Sequence, residues 1–384
     1  MNALGNQAFL QYAYPDLLSN AMLSWEKSKS WNIGLDFGLF NYRIDGTLDY
    51  YITNTDDVIW KQTLPITNGG GASGNAYTMN TNIASTRNHG IELTLNTQNI
   101  VTKDFTWSSS ITLTRNWEKV KSLGAGASDY ITNGDYTLHV GSPIKSFYGF
   151  QLDGVWQYGQ EADAAAFGKQ PGDLRVSVPN MHKVSDGVFE KVYPDELDAE
   201  GNPVTRTFDK DNPYTVTTSD KQILGHNSPD WTFGFNNTFT YKWFDLSVYM
   251  MYRGGQMIKY NMMTQYDSSG GAFPSYFNYW TPDNPSNDFP ALNAQRDYRQ
   301  DVYSDGLAFQ DGSFFKVKNI TLGYNLPSAA CKRIKIEKLR IYGTVANPIV
   351  HATNKMIKEY DPEMNCKYNN PLTRQLVFGI ILTL

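Results

Sequence analysis

Cysteine is nearly absent from this chain of 384 residues: only Cys331 and Cys366 occur. Two are too few for a disulfide framework or a structural zinc site, and there is no CxxC. No run of about 18 apolar residues is present, which excludes a membrane-spanning helix. The mean hydropathy of −0.46 leaves a β-barrel open, since only alternate barrel residues face lipid and long loops are polar. Net charge is −5 and Lys/Arg runs are short, so no nucleic-acid surface is expected. There is no HExxH. The histidines His89, His139, His182, His226 and His351 are scattered, and no motif gathers them with serine or aspartate. The chain is therefore not expected to be an enzyme. Gly69, Gly71 and Gly74 fit a GxGxxG spacing, but no helix pattern follows, and a phosphate cradle needs a helix N-terminus. Met1 is followed by Asn2-Ala3-Leu4-Gly5, without the basic and apolar regions of a leader peptide. A barrel protein requires one, so the chain reads as a fragment.

What is abundant points to β structure: 25 Tyr, 20 Phe and 9 Trp, with 31 Gly. The last dozen residues carry the clearest pattern. Leu376, Phe378, Ile380, Leu382 and Leu384 alternate with Val377, Gly379, Ile381 and Thr383, the period of a strand. An apolar alternating strand at the chain end suits the closing strand of an outer-membrane barrel. The same period predicts strands at 33–39, 44–50, 91–95, 105–113, 148–152, 174–178, 231–241, 244–252, 314–326 and 339–345, eleven with the last. Phe233, Phe235, Leu246 and Val248 are expected to face lipid, and Thr232, Asn236, Asp245 and Ser247 the lumen. Connections then alternate in length. The short ones, 41–42, 99–104, 161–171, 242–243 and 327–335, are predicted periplasmic. The long ones, 55–87, 121–142, 179–228, 257–312 and 347–372, are predicted external.

Several short stretches carry a resemblance through their order. Leu23-Ser24-Trp25-Glu26 precedes Asn32-Ile33-Gly34-Leu35-Asp36. Asp49-Tyr50-Tyr51, Asn88-His89-Gly90-Ile91-Glu92 and Leu224-Gly225 before Pro229 follow. Then come Asp311-Gly312-Ser313-Phe314, Leu322-Gly323-Tyr324-Asn325-Leu326-Pro327, Asn347-Pro348 and Asp361-Pro362-Glu363. Over residues 23–384 this series resembles the SusC/RagA-like, TonB-linked outer-membrane transporters. The resemblance implies an all-β fold: an antiparallel transmembrane β-barrel, here about eleven C-terminal strands of a 22-stranded one. Residues 1–28 would be a remnant of an upstream strand and loop, and 29–384 the C-terminal half of the barrel, with the plug domain absent. It implies import of glycans or peptides across the outer membrane of a Gram-negative bacterium. The expected partners are a SusD-like surface lipoprotein, the TonB complex through the missing N-terminal part, and outer-membrane lipid. The family often carries an acidic, glycine-containing run suited to calcium after Pro171-Gly172-Asp173. Here Ser177, Pro179 and Met181 stand in that stretch, and Asp209, Asp211 and Asp220 lack calcium-loop spacing, so no metal ligand is assigned.

The alternative class is a non-transporting outer-membrane barrel or a surface glycan-binding module. For either, the candidate substrate contacts are Tyr276, Tyr279, Trp280 and Tyr298, whose faces could stack on the C–H side of a pyranose. The competing reading is that these rings pack their loop onto itself or onto a partner. Cys331 and Cys366 are assigned to opposite ends of the wall and are expected to stay unbonded.

Overall fold

The computed structural model describes residues 17–64, 76–124, 131–133, 136–264, 277–293, 297–365 and 372–383. Its principal strands are β1 (Lys27–Leu39), β2 (Ile44–Thr63), β3 (Thr78–Val101), β4 (Phe105–Leu123), β5 (Gln151–Val155), β6 (Leu174–Ser177) and β7 (Met181–Ser185). They continue with β8 (Val188–Leu197), β9 (Pro203–Phe208), β10 (Trp231–Tyr241), β11 (Phe244–Gly254), β12 (Phe314–Asn325), β13 (Lys338–Ala352) and β14 (Gln375–Thr383). One sheet forms the wall, in the order β1-β2-β3-β4-β10-β11-β12-β13-β14. The fold is all-β and forms a partial barrel: among the described residues β1 and β14 are its two ends.

Two of the eleven predicted strands lie outside this wall. β5 and β6 pair with each other in a separate two-stranded sheet. They have five and four residues, short of the roughly 9–11 that a tilted spanning strand needs. Short apolar runs look alike whether they belong to a wall or to a buried hairpin. Because the miscount removed two strands together, the alternation of short and long connections survived it. The predicted connections 121–142, 161–171 and 179–228 therefore belong to a single one, 124–230. The predicted connection 55–87 shrinks in turn to 64–77.

The strands contribute to two compact units. The first takes described residues within 1–32, 51–89 and 117–144. Here β2 and β3 run on without apolar alternation, joined by polar side chains. Arg87 Nε donates to Asn54 Oδ1 at 2.9 Å, and Asn82 Nδ2 donates to the Asp57 carbonyl at 2.6 Å. Ile83, Ala84, Val120 and Leu138 form a small core, with Trp60 packed against it.

The second unit takes 33–50, 90–116 and 145–384, and it displays the two faces of the wall. Phe233, Phe235 and Phe239 pair across to Tyr252, Met250 and Leu246, and on the other side to Leu113, Ile111 and Trp107. Paired residues share a face, so these form one apolar surface. It continues through Leu322 and Ile341 to Ile380. The opposite face is polar and linked across strands. Ser247 Oγ donates to Asn236 Oδ1 (3.2 Å), Ser110 Oγ to Asn96 Oδ1 (2.8 Å), and Asn96 Nδ2 to Asp45 Oδ2 (3.0 Å). The lipid set and the lumen set named from the sequence lie on opposite faces, as expected.

One polar island interrupts the apolar face. Asn237 Oδ1 accepts from Trp107 Nε1 at 3.0 Å and from Ser109 Oγ at 2.8 Å. A polar group facing lipid must be satisfied within the protein, and cross-strand pairing of Asn237 with Ser109 does this.

The long connections of this unit build a second core. Ile258, Tyr260, Met263, Phe289 and Ile357 are fully buried in it, with Leu174 and Val176 of β6.

Candidate functional site

The hairpin β5–β6 separates two cavities. One, of about 300 Å³, is lined by Gln151, Leu152, Asn287, Phe309, Gln310 and Asn354, among others. Carboxamides dominate its polar lining and several hold each other in place. Asn354 Nδ2 donates to Gln310 Oε1 (2.6 Å), and Gln310 Nε2 donates to the Leu307 carbonyl (2.7 Å). Asn287 Oδ1 accepts from the Val155 amide at 2.8 Å. Among the described residues, Asp288 is the only ionisable one in the lining. Such a surface offers paired donors and acceptors to hydroxyl or amide groups without a net cation.

The other cavity, of about 390 Å³, is lined by Asp153, Trp156, Phe167, Arg175, Lys183 and Phe189, among others. Its rings form a continuous wall: Trp156 and Phe167 centroids lie 5.7 Å apart, and Phe167 meets Phe189 edge-on at 5.1 Å. The cations are already engaged. Arg175 Nη2 donates to the Asp153 carbonyl (2.6 Å) with its guanidinium 5.6 Å from the Trp156 centroid. Lys183 Nζ bonds Asp163 (2.6 Å) and Asp186 (3.1 Å), and these hydrogen bonds raise its pKa. Asp163 also accepts from the Gly187 amide at 2.9 Å, which fixes the turn between β7 and β8.

Beside this cavity stands a buried polar cluster. Asp220 is fully buried and accepts from Tyr214 and Lys191. Burial, and then the hydrogen bond to Asp220, push the Tyr214 hydroxyl far above its ordinary range. The cluster fixes the β7–β9 sheet against the rest of the connection.

Of the aromatic candidates chosen from the sequence, the described Tyr279, Trp280 and Tyr298 are not among the residues lining either cavity. Tyr276 lies outside the described residues. Trp280 is 6% exposed, and its Nε1 donates to Gln157 Oε1 at 3.1 Å. Its ring covers Gly172, where a Cβ would stand 2.8 Å from Trp280 Cε3, and Gly172 has φ +94°. That is the physical content of Pro171-Gly172-Asp173: the backbone passes beneath an indole where no side chain fits. Tyr298 is 5% exposed and meets Phe289 edge-on at 5.4 Å, and Tyr279 packs against the same core. These three rings pack the loop. Asp153, Trp156, Arg175, Gln310 and Asn354 were not singled out in the sequence, since each stands alone in an irregular stretch. Among the described residues no group of three or more His, Cys, Asp or Glu could hold a metal ion. No helix of the described residues is long and apolar enough to cross a membrane, which says nothing of strands.

An open wall of antiparallel strands, apolar on one face and polar on the other, defines part of a membrane β-barrel. The chain belongs to the TonB dependent receptor-like, beta-barrel family, whose model matches residues 3–347. It is 28% identical over 364 residues to TonB-dependent receptor P3 of Formosa agariphila, covering 92% of this chain and 32% of that protein. It is 29% identical to TonB-dependent receptor SusC of Bacteroides thetaiotaomicron, covering 99% of this chain and 34% of SusC. The chain thus spans about a third of the length of the curated relatives it matches. Its fold is similar to that in the structure of the RagAB peptide transporter, with a TM-score of 0.68 and 24% identity, over 94% of this chain and 36% of that one.

Proposed function

We propose that this chain is barrel wall and outer rim of a TonB-dependent importer, carrying glycans or peptides across the outer membrane of a Gram-negative bacterium. The observation that carries the reading is the two-faced wall, joined to cavities built from its long connections. Membership in the TonB-dependent receptor family supports it. A peptide cargo has a counterpart in the RagAB peptide transporter, whose fold is similar. The amide-lined cavity and its aromatic neighbour suit a neutral, hydrogen-bonding ligand with apolar C–H faces. Tyr279, Trp280 and Tyr298 serve this site by shaping the loop around it.

The parts outside this sequence complete the machine. The open edges at β1 and β14 pair with further strands, because lipid cannot satisfy a row of backbone N–H and C=O groups. Residues 1–28 lead in from that upstream half, and 29–384 are the second half of the barrel. A plug and the TonB contact lie upstream. A SusD-like surface lipoprotein caps the rim, with connection 255–313 among its contacts. The test is uptake of labelled oligosaccharides and labelled peptides by cells with and without the full-length gene. Loss of one class on deletion names the cargo; unchanged uptake of every substrate that the strain consumes sinks the reading.

A further inference from the structure

The four short connections of the second unit lie side by side at one end of the wall. The Lys242 amide donates to the Asp104 carbonyl at 2.8 Å, so the β10–β11 turn touches the β3–β4 turn. The Asn325 amide donates to the Trp243 carbonyl at 2.8 Å, which joins the β12–β13 connection to the same row. At the other side the Gln98 amide donates to the Arg43 carbonyl, also at 2.8 Å.

The composition of this row is one-sided. Residues 40–43, 102–104, 242–243 and 327–337 contain the cations Arg43, Lys103, Lys242, Lys332, Arg333 and Lys335, against the carboxylates Asp104 and Glu337 only. All six cations are exposed, and among the described residues none makes an ion pair. The whole chain carries −5, so this end opposes the overall sign. Three of the four turns also present an apolar group beside their cations. Phe40 and Tyr42 flank Arg43, each 73% exposed. Trp243 and Phe244 follow Lys242, and Ile334 stands among the basic residues after the helix Ser328–Arg333. A ring at the headgroup level with a cation reaching past it is the chemistry of a membrane interface.

We propose that this row of short turns is a docking surface for anionic phospholipid headgroups of the bilayer leaflet on that side. The proposal rests on the wall spanning a membrane. Lysines and arginines near an anionic surface each favour binding by roughly fivefold, and since Arg43 meets only the Gln98 and Asn99 carbonyls and Lys242 only the Tyr241 ring, no carboxylate neutralises their charge. Aromatic groups on the same turns set the depth at which the cations meet phosphate.

The experiment uses the full-length outer-membrane protein in detergent with equal amounts of phosphatidylglycerol and phosphatidylcholine, followed by native mass spectrometry of retained lipid. The expected result is enrichment of phosphatidylglycerol by about tenfold or more, lost in a variant carrying K103E, K242E, K332E, R333E and K335E. A glutamine set at the same positions serves if the reversed charges hinder folding, with heat-modifiable mobility as the folding control. Equal retention of both lipids, or enrichment unchanged in both variants, overturns the proposal. So does displacement by inorganic phosphate that chloride at equal ionic strength does not reproduce, since that would mark a free-phosphate site. Failure here leaves the spanning wall untouched, because that is read separately by labelling of its two faces.

Discussion

The ring of Tyr342 lies across the backbone of Gly379. The two residues are directly paired between β13 and β14, and a Cβ on Gly379 would stand 2.3 Å from Tyr342 Cζ. The aromatic ring covers the strand where a side chain is missing, a known way of keeping glycine in a sheet. Gly379→Val must displace that ring. The expected cost is about 1–3 kcal/mol from overpacking, read as a lower midpoint in heat-modifiable mobility of the full-length protein. An unchanged midpoint would mean that Tyr342 moves freely.

A second prediction concerns Lys316, whose side chain on β12 is wholly buried. Its Nζ bonds Asp361 at 2.5 Å and Glu363 at 2.6 Å, and Lys318 Nζ bonds Glu363 at 2.6 Å. A register shift in β12 between Val317 and Asn319, opposite the Asn347-Pro348 stretch, sets Lys318 in a bulge beside this cluster. Burial works to raise the Glu363 carboxyl, but the hydrogen bonds from Lys316 and Lys318 together hold it below the ordinary glutamate range. A group depressed on folding stabilises above its unfolded pKa, and that contribution is lost as pH falls through the folded value. Hydrogen-exchange protection of 353–365 should therefore persist down to the ordinary glutamate pKa of about 4.3 and fall only in more acidic solution. Lys316→Met, which leaves Asp361 without its cation and Glu363 with Lys318 alone, should cost about 3–5 kcal/mol. Adding D361N and E363Q should recover part of that. Loss of protection already near pH 6 would contradict the assignment.

The wall was legible in the sequence where one face is buried in lipid and the other is wet. Phe233 to Tyr252 is the clearest case, because each side chain reports its face by its polarity alone. Legibility failed where that contrast fades. Residues 51–63 and 78–90 are strand, yet their polar side chains are satisfied across strands by pairs such as Arg87 and Asn54, which leave no period to read. β5 and β6 were read as wall because a buried hairpin has the same apolar residues as a short spanning strand. The cavities were invisible for a different reason. Gln310 and Asn354, 44 positions apart, meet only through folding, and no local pattern marks either.

Asn237 offers a test of the apolar face from within. Its side chain is 6% exposed and satisfies both Trp107 and Ser109. Asn237→Ala removes the acceptor of the buried Ser109 hydroxyl and of the half-buried Trp107 indole N–H, so a loss of about 1–3 kcal/mol is expected, again read from heat-modifiable mobility. The double variant N237A/S109A should lose less than N237A alone. Equal loss in the two would show that the pairing carries no weight.

Cys331 is 1% exposed, with its Sγ 3.5 Å from the Leu326 carbonyl, and it is unbonded. Cys366 lies outside the described residues. Mass spectrometry of the non-reduced full-length protein should recover both thiols free, with Cys331 reacting with maleimide only after denaturation. A Cys331–Cys366 bridge would place the helix Ser328–Arg333 and the connection after β13 at the same end of the wall, against the strand order.

The central claim is that one face of the wall meets lipid and the other lines a watery lumen, and the β10–β11 hairpin tests it most directly. Single cysteines are placed at Phe233, Phe235, Leu246 and Val248, and separately at Thr232, Asn236, Asp245 and Ser247, in the full-length protein with Cys331 and Cys366 replaced by alanine. Each is probed in bilayers with a charged, water-borne thiol reagent and with a bilayer-soluble one. The account predicts that the first four react only from the bilayer and the second four only from water, switching at every residue along both strands. Reaction of both sets from the same phase would contradict it.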